Sequence, residues 1–252
     1  MTTSLAILGN VPDNHLGELV RGQPLQVHLF GALRREQRAF TAVVHSKGSE
    51  ASRILAFARA AYRELAALLS GGDVLDSARD GEWSLRDLLR HAIAVELRYR
   101  AQVLWSANRG DADPIGIPPD RLPCDRLSPP GPEFADTISG SIERVLNLFG
   151  AARAGTDRQL ATLETSVLAR PSVWGSLQVD VRERLHQIGV HIVEVNLQAE
   201  KMLGATELEA RRIVRRIAAT RGMHEALSER HLPEELDRAL ATLADEVAAL
   251  RV

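Results

Sequence analysis

WSLRDLLRHAIAVELRYR, residues 83–100, holds the clearest helix start in the chain. Ser84 stands where its hydroxyl can take a backbone N–H of the first turn, and Asp87, three residues on, is spaced to reach back to the cap. Trp83 and Leu88 flank that cap at the spacing of a hydrophobic staple. Leu88, His91 and Val95 then recur three and four residues apart, so one stripe of a helix running to about Ala107 faces a core, with His91 on that stripe.

The same period spreads outward in both directions. Leu55, Ala58, Tyr62, Leu65 and Leu69 make a stripe over residues 52–69. Seven of the eleven prolines fall between Pro114 and Pro132, which predicts a long non-helical connection, and connections of that kind tend to be functional covers or linkers. Phe134, Ile138, Ile142, Val145 and Phe149 predict another helix, followed by a short one around residues 157–165. Ser172 to Gly175 reads as a turn, and Asp180 with Glu183 caps a helix running to about Leu203. Two more helices are expected over about 206–220 and 233–250, the last opened by Pro233. Only Val27–Leu33 and Thr41–His45 suggest strands.

The expectation is an all-α antiparallel four-helix bundle over residues 51–204, with a Pro-rich crossover. An N-terminal extension, 1–50, and a C-terminal helical extension, 205–252, flank it. The apolar segment Pro24–Phe30 must be covered by the bundle, a second subunit or the mouth of a site. Leu236, Leu240, Leu243 and Val247 form a stripe suited to packing or to a homodimer.

Composition removes several classes of function. The 252 residues carry 31 Lys plus Arg against 33 Asp plus Glu, a net charge of −2, which gives no electrostatic footprint for nucleic acid. Arg211, Arg212, Arg215 and Arg216 do form a positive strip, but Glu207 and Glu209 precede it and no aromatic is interleaved, so a solvated or subunit-facing strip is the better reading. No uncharged apolar run is long enough to span a bilayer, and the N-terminus lacks the basic start of a signal peptide, so a cytoplasmic location is expected. The one cysteine, Cys124, excludes an internal disulfide and a Cys-based zinc site. Lys47 and Lys201 are the only lysines, a hint of a GC-rich genome.

Of the eight histidines, His91 and His191 stand out, each midway along a long amphipathic helix. Interior histidines on two helices can meet across a bundle, which is how helical proteins build metal sites. Two buried, hydrogen-bonded histidines are the alternative that spacing leaves open.

Trp83, Ser84, His91 and Glu96 in the quoted stretch resemble the first signature of the DinB/YfiT-like superfamily. VDVRERLHQIGVHIVEVNLQAEKML, residues 179–203, resembles its second, a histidine, three residues, a second histidine, then a glutamine three further on. His191 matches the first of these histidines, Gln198 the glutamine, and Glu200-Lys201 the pair that often follows. The resemblance covers about residues 53–204 and implies a divalent metal on three histidines. Here the position four residues after His191 is Val195, which cannot bind a metal. Glu194 is the conditional third ligand beside His91 and His191; it lies about 60° around the helix from His191, within reach of a long side chain. His186, about 140° around, is poorly placed, and Asp87 is engaged by its cap.

The resemblance further implies a thiol transferase that uses mycothiol or a similar low-molecular-weight thiol on a small electrophile, an isomerisable acid or a secondary metabolite. A metal with an open position would deprotonate the thiol; without one, His91 or His191 would act as base with Glu194 orienting the ring. Arg98, Arg182 and Arg184 are candidates for the thiol cofactor's carboxylate. The alternatives are a metal-free small-molecule-binding protein, or a non-metal isomerase or cyclase, with Phe134, Trp105 and Trp174 as pocket walls.

Overall fold

The computed structural model describes residues 2–43, 49–69, 75–78, 82–204, 208–214, 216–217, 220 and 234–250. The chain divides into two compact units, one of residues 47–202 and one that joins residues 1–46 to residues 203–252.

Residues 47–202 hold four long helices: α3 (Glu50–Leu69), α4 (Leu85–Asn108), α6 (Ile142–Leu160) and α8 (Val181–Met202). α3 packs on α8, α8 on α4, α4 on α6 and α6 on α3, which closes a four-helix bundle. α4 and α8 run antiparallel, since His91 meets His191 at one end while Gln102 meets Arg184 at the other. The core is apolar, with Leu55, Leu65, Leu89, Ile93, Phe149 and Ile188 buried. α3 and α8 approach closely at Gly189, where a Cβ would sit 3.2 Å from the Ala58 nitrogen. One charged cluster is sunk in the bundle. Arg153 on α6 donates to Glu96 on α4 at 2.5 Å and to Asp157 at 2.5 Å, and burial pushes the Glu96 carboxyl up against the opposing pull of Arg153.

The helix starts follow their caps. The Ser84 hydroxyl accepts from Asp87 N while the Asp87 carboxylate accepts from Ser84 N, so the capping box forms in full and α4 begins at Leu85. Asp180 accepts from Glu183 N at 2.7 Å at the head of α8. Trp83, spaced as a staple, is 43% exposed and sets its ring edge-on to His91, with centroids 5.0 Å apart.

Three expectations are corrected here. The stripe from Phe134 to Phe149 is broken: residues 132–134 form a 3-10 turn, α5 spans only Asp136–Ser139, and α6 starts at Ile142 because Ser141 caps it. Ile138 is accordingly 63% exposed. α6 itself runs to Leu160, and the short helix after it, α7, lies at Thr165–Leu168, in place of one helix over 157–165. Ser172–Gly175 is half of a hairpin: strand β3 (Pro171–Trp174) pairs antiparallel with β4 (Leu177–Asp180), and Gly175 takes the positive φ of +59° at the first position of a two-residue loop, the II′ geometry.

The other unit contains α1 (Thr2–Gly9), α2 (Leu25–Val43) and α9 (Glu234–Leu250), with helical turns at residues 209–214. β1 (Leu19–Val20) and β2 (Gln23–Pro24) make a hairpin whose loop residues, Arg21 and Gly22, both have positive φ. Val27–Leu33, read as a strand, is helical, as is the described part of Thr41–His45; the latter's last two residues lie outside the described residues. Leu25, Leu29 and Phe30 of the apolar segment are buried, and α2 packs on α9. The α9 stripe of Leu236, Leu240, Leu243 and Val247 is buried in the same way, with α9 packed on α1 and α2. Of the arginine strip, Arg212 is buried and Arg211 donates to Asn10; Arg215 and Glu207 lie outside the described residues, as does Pro233.

Candidate active site

The antiparallel contact of α4 and α8 brings His91 and His191 together, with their Nε2 atoms 3.3 Å apart. His191 is buried and His91 is half-buried. The Nδ1 of His91 lies 2.9 Å from the backbone carbonyl of Arg126. A carbonyl only accepts, so His91 Nδ1 carries the proton and its Nε2 carries a lone pair. In the neutral pair, the His191 Nε2–H is then the donor to His91 Nε2.

The Pro-rich connection supplies that carbonyl. It packs along α4, where Arg98 donates to the Cys124 carbonyl and Trp105 Nε1 donates to the Pro114 carbonyl at 3.0 Å. Asp125 then folds the chain over Arg126 by accepting from Leu127 N and Ser128 N at 2.6 and 2.8 Å. The positive charge of Arg126 reaches both histidines. Burial first, and Arg126 with it, hold His91 below the ordinary histidine value. Burial, His91 and Arg126 push His191 down to about 3. Both rings are neutral at pH 7.

Deeper along α8 the site continues as a line of rings. Tyr99 packs 5.7 Å from His191, and the Arg184 guanidinium carbon lies 4.7 Å from the Tyr99 ring centroid. Gln187, one turn before His191, hydrogen-bonds Tyr99, and burial pushes the Tyr99 hydroxyl up. Outward, Trp83 borders both His91 and a cavity of about 250 Å³ lined also by Glu82, Gln198, Lys201 and Met202.

The remaining candidates are dispersed. Glu194 acts electrostatically on Tyr99 but does not join His91 and His191 in a ligand cluster. Arg182 is paired with Glu50 and Asp180, and Arg98 holds the connection. Arg184 alone of the three arginines lies inside the bundle near the histidines. Cys124 is free, and burial pushes its thiol up, away from nucleophile chemistry. Trp105, on α4, carries the Arg121 guanidinium over its ring and is taken up in holding the connection. Sequence reading passed over Arg126, Tyr99 and Gln187. Gln187 was within reach of it, standing four residues before His191 on the same helix face.

The histidine pair has the shape of half a metal site. Two nitrogens bound tetrahedrally to zinc at about 2.05 Å sit about 3.3 Å from each other, which is the separation seen here. The other half is missing. Among the described residues no group of three His, Cys, Asp or Glu side chains could hold an ion, and the turns on either side of His191 offer Gln187 and Val195. A positive guanidinium acting on both rings further opposes a second cation. The residues present do not fit the three-histidine centre that the resemblance implied.

The chain is similar to YfiT from Bacillus subtilis, described as a probable metal-dependent hydrolase with an unusual four-helix bundle topology, at 15% identity and a TM-score of 0.45 over 64% of this chain and 91% of that one. No curated protein matches the sequence. Among the described residues no helix is long and apolar enough to cross a membrane. The DinB superfamily profile matches residues 54–194, which run from α3 through the whole crossover to the turn that follows His191, and the chain therefore belongs to the DinB superfamily.

Proposed function

We propose that the bundle is a metal-independent, thiol-dependent transferase acting on a small electrophile or metabolite, with mycothiol or a similar thiol as co-substrate. The observation that carries this reading is the neutral His91–His191 pair, fixed by the Arg126 carbonyl and set in the field of the Arg126 charge. The thiol itself is suggested by the likeness of the two signatures to thiol-using relatives.

A free thiol is mostly protonated near pH 7, and the thiolate is the nucleophile. His91 Nε2 takes the S–H proton, displacing its bond from His191. The positive charge that makes the imidazole a weaker base stabilises the thiolate by the same field, so the transfer is kept near balance. The thiolate forms a C–S bond to the substrate, the bond to the leaving group breaks, and the His91 proton passes to that group. His191, buried and neutral, re-forms its hydrogen bond to His91.

The test is turnover of activated aryl and acyl substrates with mycothiol, following thiol consumption and product mass. Thiol-dependent turnover that falls by roughly 10²–10⁴-fold in His91→Ala is expected. Unchanged rates in both His91→Ala and His191→Ala overturn the mechanism. Release of a leaving group without thiol consumption moves the reading to hydrolysis, and tight binding without turnover to a binding protein.

A further inference from the structure

Two turns before His191, Arg184 is 1% exposed, and its Nε and Nη1 have no hydrogen-bond partner. Its Nη2 donates to the Gln102 carboxamide, and its plane covers Tyr99. Among the described residues no carboxylate is paired with it: burial works against its protonated form, and the one group that favours that form is the Tyr99 hydroxyl, itself kept neutral by burial. Arginine does not give up its proton in proteins, so the bundle carries a buried cation with donors to spare. Such a group is costly unless something anionic completes it.

Its position relative to the histidines is fixed by α8. Seven residues advance the helix by about 10 Å and return it to nearly the same face, so Arg184 and His191 look toward α4 together. Tyr99 fills the interval, touching both. An acid held at Arg184 would extend past the Tyr99 ring toward the two Nε2 atoms.

We propose that Arg184 anchors an internal anion subsite that receives a substrate carboxylate, with Gln102 and Tyr99 as its polar walls. Gln102 takes only one of the two Nη2 hydrogens, so the guanidinium keeps one fork, Nη2 with either Nε or Nη1, that donates two parallel N–H···O bonds to a carboxylate. The substrate class is then a small organic acid bearing its reactive carbon at the far end from that carboxylate. This rests on the histidine pair as reaction centre only for what happens there; binding of the acid is independent of it.

The test is titration of the full-length protein with succinate, followed by calorimetry and thermal unfolding, with succinamide as neutral control and sulfate as inorganic anion. Succinate is expected to bind and raise Tm, and succinamide to do neither. Arg184→Met should lose at least about tenfold in succinate affinity, while the ligand-free protein keeps or gains thermal stability because an unpaired buried charge is gone. If the Met variant does not fold, Arg184→Lys, which keeps the charge without the fork, should lose affinity at unchanged Tm. Equal succinate binding in wild type and variant, no succinate binding in wild type, or sulfate bound in preference to succinate overturns the assignment. His91→Ala separates the two ideas: it should abolish thiol transfer yet leave succinate affinity intact.

Discussion

The Nε2 atoms of His91 and His191 lie 3.3 Å apart although 100 positions separate the two residues in the chain. That separation suits either a shared proton or a shared metal ion, and the neighbours decide between them. Arg126 fixes the His91 tautomer through its carbonyl and opposes further positive charge with its side chain. Gln187 and Val195 stand on the two adjoining turns. The site keeps the histidine geometry and takes away what would make it a cation trap.

Restoring the missing ligand tests that account. Histidines four residues apart on a helix share a face and bind zinc together. Val195→His places one such group a turn beyond His191, so the purified variant should hold close to one zinc per chain by elemental mass spectrometry. The wild type should lose its zinc on dialysis against chelator. Stoichiometric, chelator-resistant zinc in the wild type would show that another group completes the site.

The α3–α6 contact gives a packing test. A Cβ on Gly150 would lie 2.6 Å from the Tyr62 hydroxyl oxygen, which donates to the Leu146 carbonyl at 2.9 Å while its ring packs edge-on to Phe149 at 5.3 Å. Alanine favours a helix over glycine by about 1 kcal/mol, but here the Tyr62 ring must move. Gly150→Ala should destabilise by roughly 1–2 kcal/mol in urea unfolding. In a Tyr62→Phe background the cost should shrink by more than about 0.5 kcal/mol. Equal costs in both backgrounds would show that the hydroxyl is not the obstacle.

What the sequence disclosed divides along physical lines. Caps and stripes were legible, because Ser84 with Asp87 and Asp180 before Glu183 are local chemistry that needs no partner. Val27–Leu33 misled: a short apolar run has no period of its own, and only burial of Leu25, Leu29 and Leu33 on one face shows the helix. The reach of Phe134–Phe149 misled in the opposite sense, since a stripe carried across Gly140 ignored the cap at Ser141. In the site, His91 and His191 were visible as polar residues on apolar stripes. Arg126 was not, because it acts through a backbone carbonyl 35 residues away, which any residue type could supply. Arg184 was named as a candidate for the thiol cofactor's carboxylate, but its burial was not legible, since it depends on the α4 surface it meets.

The His191 environment also sets how the fold responds to acid. Its pKa is about 3 in the native protein, against about 6.5 for a free histidine. Above pH 6.5 neither state binds the proton, and the neutral ring's contribution is fully present. Below it the unfolded chain gains a proton that the native state refuses, so stability falls as the pH drops from about 6.5 toward 3. The depressed His91 value acts in the same sense. At pH 5 the His191 share of the loss should be about 2 kcal/mol. Urea unfolding at pH 7.5 and pH 5, compared between wild type and His191→Gln, isolates it from the carboxylates that both proteins share. The variant should lose about 2 kcal/mol less between the two pH values. An identical pH dependence would mean that His191 takes its proton in the native bundle as readily as in water, and that neither burial nor Arg126 holds the ring neutral.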